Sequence, residues 1–295
     1  MMDSKKNIEN AEIPKSEERL KILEKIAAYE KAGTFDIDVE DDPPAPVLMP
    51  DQIDYQRKSL SAKLNRKIAY AIAIKFFYNI RKSGQLVIKE VKGIENFKRL
   101  NKGAIITCNH FNPFDCFTIE GVLWKEKGKK NIYKVIREGN YTNFPGMYGY
   151  IFKHCNTLPL SSNADTMKKF LKSIKQILEN GEYILIYPEQ SMWWNYRKPK
   201  PMKPGAFKFA AQNNAPVLPI FITMKDSDKI GDDGFPIQEY IVNISEPIYP
   251  DSNLSVKENM NMLRDKNFEI WKNIYEDFYG IPLEYTCDIK EDLNK

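Results

Sequence analysis

Two residues five positions apart, His110 and Asp115, have side chains suited to proton transfer. Histidine readily accepts a proton near neutral pH. It does so best when a carboxylate holds its other ring nitrogen, which fixes the tautomer and stabilises the imidazolium. An apolar run precedes the pair, and Pro113 bends the chain between its members. We therefore expect His110 to be a general base and Asp115 its orienting carboxylate.

Each of these residues also has an ordinary structural role. Asp115 can cap the helix that follows it, and His110 can be a buried, hydrogen-bonded core residue. A metal site on His110, Asp115 and Glu189 lacks a second histidine at ligand spacing. A nucleophilic Cys116 paired with His154 shows no sign of an activated thiolate. One His–Asp pair is weak support by itself, so the rest of the chain must decide.

The composition limits the function classes. The chain has 295 residues with 44 Lys+Arg and 40 Asp+Glu, and this net charge of +4 is too small for a dedicated nucleic-acid binder. The four cysteines form no C-x-x-C pair, which favours a reducing compartment. No apolar signal core occurs near the N-terminus, and no apolar run reaches the roughly 18 residues of a spanning helix. We expect a cytoplasmic protein.

The first 84 residues are predicted to lie outside the main domain. Residues 1–60 are polar, with a helix over 15–32 and then an acidic, proline-rich stretch, 36–46, that indicates a linker or wrapping arm and not a packed element. Residues 61–84 form an amphipathic segment whose apolar residues recur every four positions between basic ends. It is either a membrane-interface helix or a helix packed on the core. The recurring residues are Leu64, Ile68, Ile72, Phe76 and Ile80.

Residues 85–250 alternate between strand and helix patterns. Strands are predicted near 85–91, 103–108, 132–137, 157–160, 183–187, 217–223 and 240–245, with helices over 115–126, 165–180 and 206–213. Residues 251–295 add a helix over 256–278 and a tail. The aromatic-rich segment 139–152 is either core or the wall of an acyl groove. The fold class is therefore α/β, a mixed and largely parallel sheet flanked by helices, with an N-terminal helical extension.

A second carboxylate, Glu189, follows an apolar strand at 183–187. Ligands of open α/β sheets bind at the carboxyl ends of the strands. Farther along, Lys203 and Gly205 precede another helix. The paired Trp193 and Trp194 either face a membrane interface or pin a loop by burial.

Four short blocks follow one another along the chain, at residues 109–115, 157–161, 187–191 and 217–220. Taken in order, they resemble the glycerolipid acyltransferases, the family of 1-acyl-glycerol-3-phosphate acyltransferases. The resemblance covers about residues 85–225. The first block has the family's N-H-x-x-x-x-D form, the third is similar to F-P-E-G-[ST], and a Lys-x-Gly-x match lies between the third and the fourth.

The resemblance implies direct acyl transfer without an acyl-enzyme, metal or organic cofactor. His110 would deprotonate a hydroxyl of a lysophospholipid such as 1-acyl-glycerol-3-phosphate. The donor would be acyl-CoA, an acyl carrier protein thioester or an acyl phosphate. Glu189 would bind the glycerol backbone, and Asn109 and Ser161 complete the expected substrate contacts from the first two blocks. The implied location is peripheral, on the inner face of the cell membrane, in phospholipid biosynthesis.

The chain departs from the family pattern at two positions. Gln190 replaces the glycine after Pro-Glu, and Ser161-Ser162 stand where an arginine for the acceptor phosphate is expected. Arg137, Arg197 and Lys203 are the candidate replacements. Alternatively, the acceptor is a headgroup-bearing lysolipid or another hydroxyl. A catalytically weakened lipid-binding or regulatory protein, and a hydrolase that uses water, are the competing functions.

Overall fold

The computed structural model describes residues 13–40 and 44–287, and a seven-stranded sheet forms the centre of this part of the chain. The strands lie in the order β1-β7-β6-β2-β5-β3-β4. Every neighbouring pair is parallel except β6 with β7, so the sheet is mixed and largely parallel, as predicted. The strands are β1 Val87–Lys92, β2 Ala104–Cys108, β3 Ile132–Ile136, β4 Thr157–Pro159, β5 Tyr183–Ile186, β6 Val217–Ile230 and β7 Pro236–Ile244.

Helices flank the sheet, and further helices precede its first strand and follow its last strand in the chain. The described residues form α1 Glu17–Ala32, α2 Leu60–Lys82, α3 Ile94–Lys98, α4 Asp115–Leu123, α5 Glu138–Thr142, α6 Gly146–His154, α7 Ala164–Glu179, α8 Gly205–Gln212 and α9 Val256–Tyr279. Their ends carry the expected signals. Asn163 caps α7 by accepting from the backbone N–H groups of Asp165 and Thr166. Ser255 and Glu258 form a capping box that starts α9.

The central strands β2 and β5 are buried at every position, which explains their continuous apolar sequences. Their side chains alternate between two cores, one on each face of the sheet. Ile105 and Ile184 pack with α7, α8 and α9. Ile106 and Leu185 pack in the opposite core with residues of α3 and α4.

Three features of the fold differ from the sequence prediction. Strand β6 runs on to Ile230, because it forms a long antiparallel hairpin with β7. The aromatic-rich segment 139–152 contains most of α5 and α6, and α3 was not predicted. These helices are five to nine residues long, too short to display a helical period clearly.

The acidic segment after α1 was predicted to be a linker or a wrapping arm without packing. It does wrap over the domain, but its side chains also pack against it. Val39 is fully buried, and Trp193 donates its indole N–H to the Ile37 carbonyl. Farther along, the Tyr55 hydroxyl donates to the Pro159 carbonyl at the end of β4. Residues 41–43, like the predicted N-terminal features of residues 1–12 and the tail after 287, lie outside the described part of the chain.

Helix α2 presents a different apolar face from the one predicted. Four residues of an α-helix turn through about 40° more than one full turn. Side chains predicted at every fourth position therefore wind around the helix, from exposed Leu64 to buried Ile80. The buried side packs against α6 through Ala69 and Ala73. The exposed side carries an apolar stripe of Leu60, Leu64, Ile68, Ile74 and Tyr78.

No helix within the described residues is both long and apolar enough to cross a membrane.

Candidate active site

The carboxyl ends of four parallel strands, β2, β5, β3 and β4, lie side by side at one edge of the sheet. His110 follows β2, Glu189 follows β5, Arg137 follows β3 and Ser161 follows β4. Residues that are up to 79 positions apart are therefore neighbours, as in the contact between the His110 backbone and the Glu189 side chain. This edge is where ligands of open α/β sheets bind.

His110 and Asp115 are in direct contact, as the sequence predicted. Nδ1 of His110 lies 2.8 Å from Oδ2 of Asp115. An ionised carboxylate only accepts, so Nδ1 carries the proton and Nε2 of the neutral ring holds a lone pair. The His110 side chain is 25% exposed and the Asp115 side chain 1%. No group among the described residues is bonded to Nε2, which can take a proton from a bound hydroxyl.

Tyr187 holds both members of this pair. Its hydroxyl donates to Oδ1 of Asp115 at 2.8 Å. Its ring stacks on the imidazole of His110, with centroids 4.1 Å apart and planes 17° from parallel. The backbone N–H of Phe111 also donates to Asp115, at 3.2 Å. The carboxylate is thus fixed from the β5 side and from its own turn.

Glu189 is buried next to the His110 backbone, and both oxygens of its carboxylate accept hydrogen bonds from the protein. Oε2 accepts from the His110 backbone N–H at 3.1 Å, and Oε1 accepts from the Lys200 backbone N–H at 2.8 Å. The Lys200 ammonium lies 3.6 Å from Oε2 and donates to the Ser191 carbonyl and hydroxyl. Both side chains of this ion pair are at most 2% exposed. Burial raises the pKa of Glu189 and lowers the pKa of Lys200 to about 8.

The family model described as Acyltransferase matches residues 89–223, a segment that contains all of these contacts. This segment of the chain belongs to the acyltransferase family. The prediction of a transferase enzyme is thereby confirmed. No curated protein matches the chain in sequence.

The fold agrees with a solved acyltransferase structure. That structure is described as the 1-acyl-sn-glycerophosphate (LPA) acyltransferase, PlsC, from Thermotoga maritima. The two chains are 21% identical, with a TM-score of 0.52, and the match covers 76% of this chain and 85% of that one. The acyltransferase domain and its helical neighbours therefore have the fold that the sequence predicted.

Three residues of the acyltransferase domain that were predicted to contact substrate have other contacts in the structure. Asn109 is buried and bonds the backbone N–H and carbonyl of Ile222, so it joins the end of β2 to β6. Ser161 donates to the Leu48 carbonyl. Glu189 is buried beneath the His110 backbone. The side chains of Asn109 and Glu189 therefore hold the backbone around His110 in place, and their predicted contacts with a substrate stay a prediction.

The three candidate phosphate-binding cations are separated by the fold. Arg137 and Lys203 lie at the edge near Glu189, where Arg137 donates to the Gln190 carbonyl and the Lys203 backbone N–H donates to the Pro188 carbonyl. Arg197 instead donates to Asp226 at 2.7 Å and to Gln238. Because those partners belong to the β6–β7 hairpin, Arg197 is not placed with the other two.

Gln190 adopts the backbone conformation that the family's glycine favours. Its φ is +64°, so the loop keeps the left-handed turn despite the side chain. The tryptophans that follow are buried: Trp193 packs on Phe35 and Trp194 on Phe235. Burial thus explains this pair, and the membrane-interface interpretation of Trp193 and Trp194 is wrong.

The cysteine alternative is not supported. Burial, with the neighbouring Asp115 carboxylate, raises the pKa of Cys116 to about 12, so the thiol stays protonated and weakly nucleophilic. His154 lies at the end of α6, where its ring packs on Tyr150. Among the described residues, no group of three or more His, Cys, Asp or Glu is arranged to hold a metal ion.

Sequence analysis missed two residues of this site, Tyr187 and Lys200. Tyr187 was quoted only as part of the third block, although it follows a buried strand at the binding edge. Lys200 had no motif to mark it. Its proximity to Glu189 is a product of the 188–204 loop folding back, since the two residues are 11 positions apart without regular structure between them.

Proposed function

We propose that this acyltransferase moves a fatty acyl group from a thioester or acyl phosphate donor to a hydroxyl of a lysophospholipid, a step of phospholipid biosynthesis. Nε2 of His110 takes the hydroxyl proton as the oxygen attacks the carbonyl carbon of the donor. A new C–O ester bond forms, and the bond from the acyl carbon to the leaving group breaks: C–S in a thioester, C–O in an acyl phosphate. The proton on His110 then passes to the departing thiolate or phosphate, which leaves as a thiol or as inorganic phosphate. No cofactor enters these steps.

The contact between His110 and Asp115 carries this proposal. Asp115 and the stacked Tyr187 ring hold the imidazole through Nδ1 and one ring face, and a quarter of the His110 side chain stays exposed to an acceptor. Glu189 supports the same geometry from below by binding the His110 backbone. A base held in one tautomer and one orientation needs no reorganisation when the acceptor arrives.

We also propose that α2 attaches the enzyme to the membrane surface as a peripheral protein on the cytoplasmic side. Its exposed apolar stripe is accompanied by exposed lysines, including Lys63, Lys67 and Lys75. Such a helix places apolar side chains among acyl chains and ammonium groups over anionic headgroups. The proposal includes both acyl-CoA and an acyl carrier protein thioester as donors.

Aromatic side chains connect helix α2 to the turn that carries His110 and Asp115. Phe76 of α2 packs against Phe114, which directly precedes Asp115, with ring centroids 5.9 Å apart. Phe76 also meets Tyr148 of α6 edge-to-face at 5.7 Å. An acceptor that remains partly in the bilayer can therefore lie along apolar side chains while its hydroxyl reaches His110.

The alternative function is a lipid-binding or regulatory protein with weakened chemistry. Its motivation was the replacement of glycine by Gln190 and the missing arginine. Gln190 keeps the left-handed turn, and the His110–Asp115 contact is intact. Both observations favour the enzyme.

The deciding experiment is an acyl-transfer assay of the purified full chain and of His110→Ala. Removing the base is expected to lower turnover by about 10²- to 10⁴-fold while the circular dichroism spectrum is unchanged. His154→Ala, the other histidine of the chain, is the matched control and is expected to keep wild-type turnover. Near-normal turnover by His110→Ala would overturn the mechanism. Each donor type is assayed with and without lysolipid, which separates acyl transfer from hydrolysis.

A further inference from the structure

The cations at the binding edge are neutralised by the segment after α1. The ammonium of Lys203 lies 2.8 Å from Oδ2 of Asp36. The Arg137 guanidinium is paired with Asp38. These two cations were two of the three candidates for holding an acceptor phosphate, and both already face a carboxylate of the same chain.

The segment that carries the two carboxylates is held in place by the loop that follows Glu189. Oδ1 of Asp38 accepts from the Met192 backbone N–H at 2.7 Å. Ser191 donates to the Phe35 carbonyl and Trp193 donates to the Ile37 carbonyl. The backbone of the segment is thus bonded to this loop at alternate residues, and the Asp38 carboxylate is bonded to it directly.

A cleft of about 410 Å³ opens beside these pairs, at the carboxyl ends of β3 and β4. Its polar lining consists of Arg137, Glu138, Ser161 and Ser162. The Glu138 carboxylate is fixed there by the Leu48 backbone N–H and the Ser162 hydroxyl. Where the family pattern has an arginine, this chain therefore has two serines beside an acidic side chain.

The cleft is adjacent to the catalytic pair. Arg137 donates to the carbonyl of Gln190, the residue after Glu189, at 3.1 Å. Two strand spacings separate β2 from β3, which is about 10 Å at the sheet edge. Arg137, which lines the cleft, and His110 therefore follow strands that lie two spacings apart at the same edge of the sheet.

We propose that Asp36, Asp38 and Glu138 select a lysophospholipid acceptor with an amine-bearing phosphodiester headgroup over one with a phosphate monoester. This inference rests on the proposed acyl transfer. A phosphate monoester carries a charge of about −1.5 to −2 at neutral pH, and it meets fixed carboxylates and cations that are already paired. A phosphodiester carries one negative charge, and its ammonium group offsets that charge and complements Glu138.

The test compares two acceptors, 1-acyl-glycerophosphoethanolamine and 1-acyl-glycerol-3-phosphate, in mixed micelles with one donor. The wild type is expected to show the higher kcat/KM with the ethanolamine lipid. In Asp36→Asn/Asp38→Asn the kcat/KM for the phosphate monoester is expected to rise about fivefold to tenfold, with the ethanolamine lipid changed less than about twofold. Asparagine keeps a carbonyl oxygen that can accept from Met192, so the segment stays attached.

Glu40→Gln is the matched control. Glu40 lies on the same segment but pairs with Arg19 of α1, away from the sheet edge. It removes one carboxylate charge and is expected to leave the ratio of the two kcat/KM values unchanged. A wild type that prefers the phosphate monoester, or a double variant whose ratio matches that of Glu40→Gln, overturns the inference.

Binding separates this inference from the proposed function. The two lysolipids are titrated into His110→Ala chain and into the same chain carrying Asp36→Asn/Asp38→Asn. A shift of the Kd ratio toward the phosphate monoester supports the selection whether or not turnover occurs, and an unshifted ratio overturns it. Absence of acyl transfer by the wild type with both acceptors and all donors overturns the proposed function alone.

Discussion

The hydroxyl of Tyr187 donates to Oδ1 of Asp115 at 2.8 Å, while Nδ1 of His110 lies 2.8 Å from Oδ2 of the same carboxylate. The two residues come from different strand ends, with Tyr187 following β5 and Asp115 reached through the turn after β2. The parallel register of these strands, in which Thr107 pairs with Ile186, brings them together. The orientation of the Asp115 carboxylate therefore depends on the pairing of the two central strands.

Tyr187→Phe is expected to lower kcat about tenfold with little change in KM, because the ring still stacks on His110 while Asp115 loses one donor. Steady-state kinetics at saturating donor will measure this. Tyr183→Phe, on the same strand, is the control, since its hydroxyl bonds Lys130 away from the catalytic pair. Equal loss of kcat in both variants would mean that the hydroxyl of Tyr187 has no special role.

Lys200→Met is expected to lower the free energy of unfolding by about 3 kcal/mol, because it leaves the buried Glu189 carboxylate without its partner. Urea unfolding will measure the loss. Acyl transfer is expected to fall as well, since Glu189 binds the backbone of His110. Lys198→Met, which breaks the more exposed pair with Glu30, is the comparison, and a larger effect there would contradict this account.

The stability difference between wild type and Lys200→Met is expected to grow with pH. The pKa of Lys200 is lowered by burial from 10.5 to about 8, so between these values the unfolded chain binds the proton that the folded chain has released. The free energy of unfolding that Lys200 contributes therefore rises with pH in this window. Unfolding of both proteins at about pH 7.5 and about pH 9.5 checks the sign, and a difference that shrinks would contradict it.

Leu64→Gln/Ile68→Gln is expected to weaken binding to anionic phospholipid vesicles by at least about tenfold, because both side chains belong to the exposed stripe of α2. Vesicle sedimentation at low and high salt will show the loss, and salt should weaken the wild type further by screening the lysines. Ile230→Gln removes a similarly exposed apolar side chain from the β6–β7 hairpin and is expected to leave vesicle binding unchanged. Unchanged binding of the double variant would exclude α2 as the attachment surface.

Gln190→Gly is expected to stabilise the protein by about 0.5 kcal/mol. Relief of the left-handed backbone exceeds the greater conformational freedom of glycine in the unfolded chain. Thermal unfolding will detect the rise in Tm. Gln212→Gly, at the end of α8, is expected to lower it. A loss of stability at both positions would show that the Gln190 side chain makes a contribution that its backbone conformation does not reveal.

The sequence by itself determined the sheet, the order of its main elements and the contact between His110 and Asp115. Short apolar runs such as 104–108, bounded by turn residues, predict buried strands, and a His and an Asp five residues apart meet through one local turn. Local patterns of this kind carry their own physical cause. The acyltransferase family also followed from short blocks in a fixed order, and the match over residues 89–223 confirmed it.

Only the tertiary structure decided which groups surround that pair. The Asn109 side chain bonds β6, and Arg197 bonds the β6–β7 hairpin. Strand pairing places Tyr187 against Asp115, and the folding of the 188–204 loop places Lys200 against Glu189. The exposed face of α2 depends on which side α6 covers. The pairs of Asp36 and Asp38 join residues about 100 or more positions apart. Such contacts leave no period or spacing in the sequence, because they depend on the packing of the whole chain.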